Sequence, residues 1–465
     1  MTNIKFIGRE KEIKQIEDLS KNNFFLIVKG RRRIGKTLLL RKTLQNSIYL
    51  FIWPDKTSDW ILEQISNEHK LPKFKSFGSL LEYLFEQGKT VIIDEFQNFL
   101  NIDKSIFGEI QKIIDERKNS NKKFKLAVAG SSYSTMHKVF YDSASPLYGR
   151  KTHEIHLENL DIFSLFKELK ISFEEFFELW AVFEGVPYYY EMLNLKKSSK
   201  ENIVNLILSK DCQLKEEGKA ILSIEFGKDS RTYNTVLTAI SEGKTKLNEI
   251  SSLFNNKSNE TIKYLETLRK EFNLVRKITP LTENPNKSRL GRYEIIDNFL
   301  SFWFYFYDKN KSYAEQERFN ELKRFFDNEF NTFLGRKFEK FILNLIKDKK
   351  ILNKLSFGSI GNQWGKPNKS KNSDKGVYEI DILALNESKE EALFGECKWK
   401  DKVNALEVLN KLQERAKFVD WHNEKRKEIF AVFAKSFKNK ISEFNGKKVY
   451  CFDLGDIEKE LRQQR

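Results

Sequence analysis

A glycine-bracketed loop near the amino terminus constrains the fold of this chain more than any other feature. Phe24 to Val28 form a short apolar run that is typical of a buried strand. The octapeptide Gly30-Arg-Arg-Arg-Ile-Gly35-Lys36-Thr37 follows one residue later, and a leucine-rich helical pattern then extends through Leu44. Glycines at both ends of such a loop let several backbone N–H groups point at one phosphate without interference from Cβ atoms. The segment predicts a phosphate-binding loop, with Lys36 directed at the β- and γ-phosphates and Thr37 at Mg²⁺.

A second apolar run ends in two carboxylates. Val91 to Ile93 are followed by Asp94 and Glu95, which places both carboxylates at the carboxyl edge of a predicted sheet. There Asp94 is expected to hold the Mg²⁺ shell, and Glu95 is expected to orient or deprotonate the attacking water. The alternative is a glycine turn and an ordinary acidic strand end that happen to occur in one chain. The position of both motifs at strand ends favours the nucleotide site.

The order of the predicted elements indicates the fold class of residues 1–160. Buried strands are predicted at Ser47 to Trp53, Thr90 to Ile93 and Lys125 to Ala129, with a helical pattern from Trp60 to Phe85. Strands that alternate with helices imply a doubly wound, mostly parallel sheet, as in a P-loop NTPase domain. A length of 465 residues exceeds what one core accommodates, so the chain is predicted to be an α/β multidomain protein.

Four further segments are predicted after residue 160, where the strand pattern stops. Three short helices, a strand at Leu274 to Ile278 and a polar stretch are typical of a winged helix, whose third helix carries Lys263, Arg269 and Lys270 toward DNA. A role as a protein spacer stays open, because three glutamates lie on the same helix. The segments are a helical lid at 161–229, a winged helix at 230–293, a helical connector at 294–330, and a carboxy-terminal α/β domain at 331–465 with a disordered loop at 366–375.

The carboxy-terminal segment combines carboxylates and a lysine in a pattern that suits phosphodiester chemistry. Glu396 and Lys398 lie two residues apart on a predicted strand and so share one face of the sheet. Asp381 lies on the neighbouring strand of a predicted hairpin, and Glu339 on the preceding helix is placed to complete the acidic cluster. Such carboxylates are candidate Mg²⁺ ligands, while a lysine beside them positions or activates water. The alternative is a solvated hairpin whose acidic residues have no catalytic role.

Four short motifs occur in order in the first segment: Phe6-Ile-Gly-Arg-Glu10, Gly30 to Thr37, Ile93-Asp-Glu-Phe-Gln97 and Gly130-Ser-Ser132. They resemble the archaeal-type ATPases, a branch of the STAND class of AAA+-related P-loop ATPases. The resemblance implies ATP and Mg²⁺ as cofactors, a γ-phosphate sensor at Ser132, a lid contact from Pro187 and a charge-stabilising role for Arg150. A helix break at Pro187 and a loop salt bridge at Arg150 stay open as alternatives. The residues expected to bind ATP are Gly8, Arg9, Gly30, Arg31, Arg32, Arg33, Ile34, Gly35, Lys36, Thr37, Leu38, Asp94, Ser132 and Pro187.

A second resemblance covers residues 331 to about 440. The order of a helix, a strand with Asp381, a strand with Glu396-Cys-Lys398 and a second helix resembles the PD-(D/E)xK fold, which is restriction-endonuclease-like. More narrowly, the segment resembles DUF234, a domain usually fused to archaeal-type ATPases. The proline that usually precedes the aspartate is replaced by Ile380. The resemblance implies a metal-dependent nuclease centre.

Composition bears on the partners and on the compartment. Lys and Arg number 82 against 66 Asp and Glu, and the net charge of +16 favours an acidic partner such as DNA, although a general lysine-rich bias would give the same balance. Three cysteines without paired spacing exclude a disulfide framework and suit a reducing cytoplasm. No signal peptide or membrane-spanning run is evident, so no membrane partner is expected, and homo-oligomer formation is left open.

Two functional hypotheses follow from these motifs. In the first, ATP binding and hydrolysis reorganise the lid and the winged helix, and this change controls the access of DNA to Asp381, Glu396 and Lys398. In the second, the chain is a non-cleaving ATPase regulator, whose winged helix and carboxy-terminal domain only bind nucleic acid or protein.

Overall fold

Two β-sheets, one in the amino-terminal part and one in the carboxy-terminal part, organise the chain. The computed structural model describes residues 6–226, 230–255, 257–366 and 377–463. The loop expected at 366–375 therefore lies outside the described residues, apart from Lys366. Among the described helices, none combines the length and the apolar character that crossing a bilayer requires.

Five parallel strands form the first sheet: β1 (Phe24–Lys29), β2 (Ser47–Phe51), β3 (Thr90–Asp94), β4 (Lys125–Gly130) and β5 (His153–His156). Their spatial order is β2-β3-β4-β1-β5. Alternate residues of β1 enter two different cores, because Leu26 and Val28 pack on one face and Phe25 and Ile27 on the other. Both faces are therefore covered, which confirms the doubly wound prediction, and the carboxyl ends of β1, β3 and β4 lie side by side.

Helices cover both faces of this sheet. They are α1 (Glu10–Leu19), α2 (Lys36–Thr43), α3 (Ser58–His69), α4 (Phe77–Glu86), α5 (Phe99–Ile102), α6 (Ser105–Asn119) and α7 (Tyr133–Tyr141). Two of them begin directly at the carboxyl edge of the sheet. The helix α2 follows β1 through the glycine loop, and α7 begins three residues after β4.

The segment predicted as a lid is helical in its described residues. Its helices are α8 (Ile162–Leu169), α9 (Phe173–Phe183), α10 (Pro187–Glu191), α11 (Ser199–Ile203), which a π-helical turn extends through Leu208, and α12 (Glu217–Phe226). The helix α9 is buried along its whole described length apart from its second and third residues. Its Phe177 packs on Phe338 and Phe341, with ring centroids 5.4 and 5.2 Å apart.

Three helices and a hairpin follow. They are α13 (Ser230–Ser241), α14 (Leu247–Ser251), α15 (Ser258–Glu266), and the antiparallel strands β6 (Val275–Ile278) and β7 (Arg292–Ile295). The loop between β6 and β7 lies against the carboxy-terminal domain. The Leu281 amide donates a hydrogen bond to the Asn362 carbonyl at 3.0 Å, and the Trp364 indole donates to the Leu290 carbonyl at 2.9 Å.

A single long helix joins the connector to the carboxy-terminal domain. After α16 (Asn298–Phe302), a π-helical turn through Asp308 and α17 (Lys311–Glu315), the helix α18 runs from Phe319 to Lys347 over 29 residues. The boundary predicted between 330 and 331 thus falls inside α18. Phe330 and Phe333 continue the same buried face across this point and pack on Phe302, so the two predicted segments share one core.

The second sheet has mixed strand directions. Its domain contains β8 (Ser359–Gly365), β9 (Tyr378–Asn386), β10 (Glu391–Lys398), β11 (Val403–Asn404), α19 (Ala405–Ala416), β12 (Lys427–Ala434), β13 (Phe437–Asn439), β14 (Glu443–Phe444), β15 (Lys447–Phe452) and α20 (Leu454–Arg462). The order of the six-stranded sheet is β14-β15-β12-β10-β9-β8, with β9 antiparallel to β10 and β10 parallel to β12. The predicted hairpin, the following helix and the following strand are confirmed.

Candidate nucleotide site and carboxylate cluster

The glycine loop forms a tight cradle at the carboxyl end of β1. A Cβ atom on Gly30 would lie 2.5 Å from the Leu157 carbonyl oxygen, so a larger residue does not fit. Gly35 has a φ of 97°, and α2 begins immediately after it. The first N–H groups of α2 have no acceptor within the helix and point back into the loop. This cradle suits a phosphate chain.

Lys36 is buried beneath the loop. Its Nζ donates hydrogen bonds to the carbonyl oxygens of Gly30 at 2.9 Å and Arg31 at 3.0 Å. An ammonium group has three protons, so one stays available for a phosphate oxygen. Burial lowers the pKa of Lys36 to about 8, although Glu95 and Asp94 act in the opposite direction. The lysine is therefore a strong but desolvated phosphate donor.

Thr37 and Asp94 bring two oxygen donors together beside Lys36. The Thr37 hydroxyl donates to Asp94 Oδ2 at 2.5 Å, and the Tyr49 hydroxyl donates to the same oxygen at 2.9 Å. A hydroxyl and a carboxylate at this position match the hard oxygen ligands that Mg²⁺ prefers in nucleotide sites, so the residues fit the ion that the loop implies. Tyr49 was not anticipated, because its strand β2 meets β3 only through sheet pairing.

Two side chains fix the carboxylate of Glu95. Gln97 Nε2 donates to Glu95 Oε2 at 2.5 Å, and the Ser131 hydroxyl donates to the same oxygen at 2.8 Å. Glu95 itself has a φ of 52°, a left-handed conformation that turns the chain at the end of β3. Its carboxylate is thus held between β3 and β4, next to the site of the expected sensor. Both partners lie within the motifs quoted above, but no individual role was predicted for either of them.

The sensor candidate Ser132 is engaged by the lid. Its hydroxyl donates to Glu225 Oε2 at 3.1 Å, the Tyr133 amide donates to Glu225 Oε1 at 2.9 Å, and the Ser134 hydroxyl donates to Oε2 at 2.9 Å. The carboxylate of α12 therefore sits on the N-terminus of α7, where an anion is stabilised. Burial raises the pKa of Glu225. Sequence reasoning missed Glu225, since 93 residues separate it from Ser132.

A cavity of about 710 Å³ opens between the loop, the start of α7, the end of β5 and α12. Gly30, Arg32, Ser132 and Glu225 are among the residues that line it. The loop and the expected sensor therefore share one cavity, and its volume lies within the usual range of small-molecule sites.

The loop arginines reach into other segments. Arg31 forms an ion pair with Asp297, which precedes α16. Arg33 pairs with Glu217 of α12 at 3.0 Å, and its guanidinium lies 4.0 Å above the centre of the Tyr188 ring. The phosphate loop is thus tied to the lid and to the connector in the arrangement described.

The remaining candidates of the nucleotide site lie around these contacts. Arg9 is buried and donates to the carbonyl oxygens of Glu158 at 2.6 Å and Ile34 at 3.4 Å, so the segment of Gly8 and Arg9 passes beside the loop. Pro187 is the first residue of α10, directly before Tyr188. Leu38 is 51% exposed on the first turn of α2.

Arg150 occupies a different place. Its guanidinium donates to Asp115 of α6 at 3.2 Å and to the Tyr148 carbonyl at 2.9 Å. These contacts are the loop salt bridge that the sequence left open, and the contacts found for Arg150 among the described residues do not join it to the phosphate loop.

The carboxy-terminal candidates come together on β9, β10 and α18. The Cys397 amide donates to Asp381 Oδ2 at 2.8 Å, and Lys398 Nζ donates to Glu396 Oε1 at 2.6 Å. Burial and the nearby Glu396 raise the pKa of Asp381 to about 7. Burial and then Asp381 raise the pKa of Glu339 well above its ordinary value. Glu339, Asp381, Glu396 and Lys398 therefore lie close enough to interact electrostatically, with Glu396 buried and the other three half-buried.

Glu396 is neutralised by two cations in this cluster. Arg415 Nη1 donates to both of its carboxylate oxygens, at 2.9 and 3.0 Å, in addition to the Lys398 contact. Within the described residues, no three His, Cys, Asp or Glu side chains are arranged to hold a metal ion. The predicted metal ligands Glu339, Asp381 and Glu396 therefore do not form such a group in this conformation, and Lys398 and Arg415 contact the carboxylate oxygens of Glu396.

Comparisons with known proteins match two separate parts of the chain. Residues 22–169 match a family described as an AAA domain, and residues 303–416 match a family of archaeal and bacterial proteins of unknown function, DUF234. An uncharacterized protein of Methanocaldococcus jannaschii is 32% identical in an alignment of 478 positions, which covers 97% of this chain and 100% of that protein. The chain belongs to the family of this archaeal protein.

Solved structures are similar at lower identity. A Walker-type ATPase of Pyrococcus abyssi is 19% identical, over 64% of this chain and 95% of its own, with a TM-score of 0.49. A STAND protein of Pyrococcus horikoshii with a tetratricopeptide repeat sensor is 13% identical, over 76% of this chain and 51% of its own, with a TM-score of 0.30. The family matches and the loop geometry identify an AAA-type P-loop domain and a DUF234 domain in one chain.

Proposed function

We propose that this family member is an ATP-binding and ATP-hydrolysing switch that controls a nuclease-like carboxy-terminal centre acting on DNA. The observation that carries the ATPase part is the buried Lys36 under the glycine loop, with the Thr37–Asp94 pair beside it. The nuclease-like part is supported by the convergence of Asp381, Glu396 and Lys398.

Each residue of the nucleotide site has a defined task in this proposal. Lys36 and the first amides of α2 bind the phosphates, and Glu95 orients the attacking water from its fixed position beside Ser131. Mg²⁺, held by Thr37 and Asp94, would neutralise charge that develops on the phosphates. The apolar Leu38 and the Gly8 segment offer a surface for the base.

ATP turnover tests the first part. Purified protein should release phosphate from ATP in the presence of Mg²⁺, and Lys36→Ala should abolish both ATP binding and turnover. Lys42→Ala on the same helix, where the lysine is exposed, serves as the matched control and should retain both. Failure of the wild-type protein to bind any adenine or guanine nucleotide in calorimetry would refute the ATPase assignment.

Strand breakage tests the second part. Plasmid DNA incubated with the protein, ATP and Mg²⁺ or Mn²⁺ should be cleaved, and Asp381→Asn should abolish cleavage without changing ATP turnover. Lys448→Ala, an exposed cation of the same domain, is the control for loss of basic charge. If no DNA or RNA is cleaved while ATP turnover is robust, the nuclease assignment is wrong.

A non-cleaving regulator is the second candidate, and one observation favours it. Arg415 and Lys398 neutralise Glu396, so the carboxylate has a structural role in the described conformation. Cleavage that appears only when Arg415 is substituted would support a nuclease that Arg415 holds inactive. The absence of cleavage in every variant would support the regulator.

The predicted winged helix takes the role of a spacer in our proposal. On its third helix, Arg269 and Lys270 both pair with Glu266, at 2.8 and 2.9 Å, and Lys263 is exposed. The loop between β6 and β7 contacts β8, so polar groups of this loop are already engaged within the protein. We propose that this segment transmits movement between the lid and the carboxy-terminal domain, with DNA bound elsewhere on the basic surface.

A further inference from the structure

We propose that a path of ion pairs, hydrogen bonds and backbone connections couples the phosphate loop to the carboxylate cluster. It runs from Arg31 through Asp297 and Asn298 to Lys337 and Lys340 on α18, which carries Glu339. This inference rests on the proposed function, since it names the regulation of the proposed centre.

The first link lies at the phosphate loop. Arg31 follows Gly30 directly and pairs with the carboxylate of Asp297, whose side chain is 12% exposed. The other oxygen of Asp297 accepts a hydrogen bond from the Leu300 amide at 3.1 Å and so caps α16. Asp297 therefore has two partners, one on the loop and one on the helix that leads toward the carboxy-terminal domain.

The second link is a polar group inside an aromatic core. Asn298 is fully buried, and its Oδ1 accepts from Lys337 at 3.2 Å and from Lys340 at 2.9 Å. Glu184, directly after α9, accepts a further hydrogen bond from Lys340 at 2.9 Å. Displacing Asn298 alone would remove a hydrogen-bond acceptor from the buried lysine amino groups, which is unfavourable. The lysines and Asn298 must therefore move together.

The third link is the helix α18 itself. Glu339 lies between the two lysines in sequence, and Asp381 is its main charged neighbour. The adjacent Phe338 packs on Trp399, directly after β10, with ring centroids 5.3 Å apart. A shift of α18 would therefore change the position of Glu339 relative to β9 and β10.

A bound nucleotide would affect the first link through electrostatic competition for Arg31. A bound triphosphate carries several negative charges beside Arg31, and it competes with the single carboxylate of Asp297 for the guanidinium. An ATP-bound loop thus favours a weakened Arg31–Asp297 pair, which gives the differential interaction that any ligand-driven change requires.

Asp297→Asn is the decisive variant. An asparagine still caps α16 through its side-chain oxygen, but it removes the charge that holds Arg31. Asp327→Asn is the matched control, because Asp327 is exposed on α18. Lys340→Met cuts the path one step later while preserving side-chain length.

Hydrogen–deuterium exchange of residues 335–341 and 378–398 supplies a measurement that does not depend on cleavage. Adding a non-hydrolysable ATP analogue with Mg²⁺ should change exchange rates there by about fivefold in the wild-type protein and in Asp327→Asn, as for a typical coupling between sites. Asp297→Asn and Lys340→Met should bind the analogue in calorimetry but lose this response.

The outcomes separate the two proposals. Binding of the analogue without any exchange response in the wild-type protein would overturn the path, as would a full response in both variants. A response that depends on Asp297 in a protein that cleaves no nucleic acid would uphold the path and remove only the nuclease assignment.

Discussion

Raising the pH from 7 to 9 should weaken ATP binding about tenfold, because Lys36 loses its proton over this range in the nucleotide-free protein. Lys36 is 6% exposed, and burial lowers its pKa to about 8. Phosphate oxygens would favour the charged form, so a bound nucleotide returns the pKa toward the ordinary value of about 10.4. Binding above pH 8 must therefore take up a proton.

The magnitude follows from the two pKa values. With a pKa of about 8, the neutral fraction of Lys36 rises from about a tenth at pH 7 to about nine tenths at pH 9. The observed Kd should rise by about one factor of ten, which is about 1.4 kcal/mol. In the nucleotide-free protein, the lowered pKa of Lys36 reduces the stability of the fold, whereas a stabilising ion pair would raise the pKa of a lysine and increase the stability. The lowered pKa destabilises the fold below about pH 8, and this penalty fades as the pH approaches about 10.4.

Calorimetry at pH 7, 8 and 9, in two buffers of different ionisation enthalpy, measures both the Kd and the proton uptake. Lys42→Ala should reproduce the wild-type pH dependence. Lys36→Arg carries a guanidinium that does not titrate in this range, so its affinity should be constant with pH. A wild-type Kd that stays constant from pH 7 to 9, without proton uptake, would refute the argument from burial.

Three further predictions concern single carboxylates. Glu95→Gln should bind ATP with unchanged affinity but release phosphate at least about a hundredfold more slowly, the usual loss for a general base. Calorimetry with a phosphate-release assay checks this, and unchanged turnover would count against the role of Glu95. Glu225→Gln should weaken the lid contact on α7 and tighten ATP binding several-fold in calorimetry, because Ser132 becomes available; weaker binding would show that Glu225 supports the site. Asp381→Asn should raise the unfolding midpoint by about 2–4 °C at pH 8 and have little effect near pH 4. The raised pKa of Asp381 destabilises the folded protein increasingly from the ordinary carboxyl pKa of about 3.9 up to about 7, and fully above that. Equal midpoints in scanning calorimetry at pH 8 would contradict this prediction.

The phosphate loop was predictable because its information is local. Glycine spacing, an apolar run before it and a helical pattern after it specify the conformation of residues 24–44, and the structure confirms each element. The acidic hairpin was predictable for the same reason, since alternation along β10 places Glu396 and Lys398 on one face.

The partners of these residues were not predictable, because they depend on contacts between distant segments. Glu225, Asp297 and Arg415 are ordinary charged residues on helices or at their ends, and no local pattern distinguishes them from solvated ones. On α19, the amide oxygen of Gln413 accepts a hydrogen bond from Asn445 at 3.1 Å, while Arg415 reaches Glu396. Residues two apart on a helix face different directions, so only the docking of α19 selects between them.

The continuity of α18 was not predicted, for a different reason. The predicted boundary between residues 330 and 331 lies within α18, and Phe326, Phe330 and Phe333 keep helical spacing across it. Burial of this aromatic face stabilises the helix on both sides of the expected boundary.

The docking of the hairpin loop on β8 has a practical consequence for dividing the protein. β8 is an edge strand. Along it, the Leu281 amide donates to the Asn362 carbonyl oxygen, and the Thr282 amide donates to Gln363 Oε1. A fragment that starts at α18 would expose these groups to solvent and to other molecules, and bare strand edges recruit further strands. Expression of the DUF234 half alone should therefore yield self-associating material unless residues 279–291 are retained.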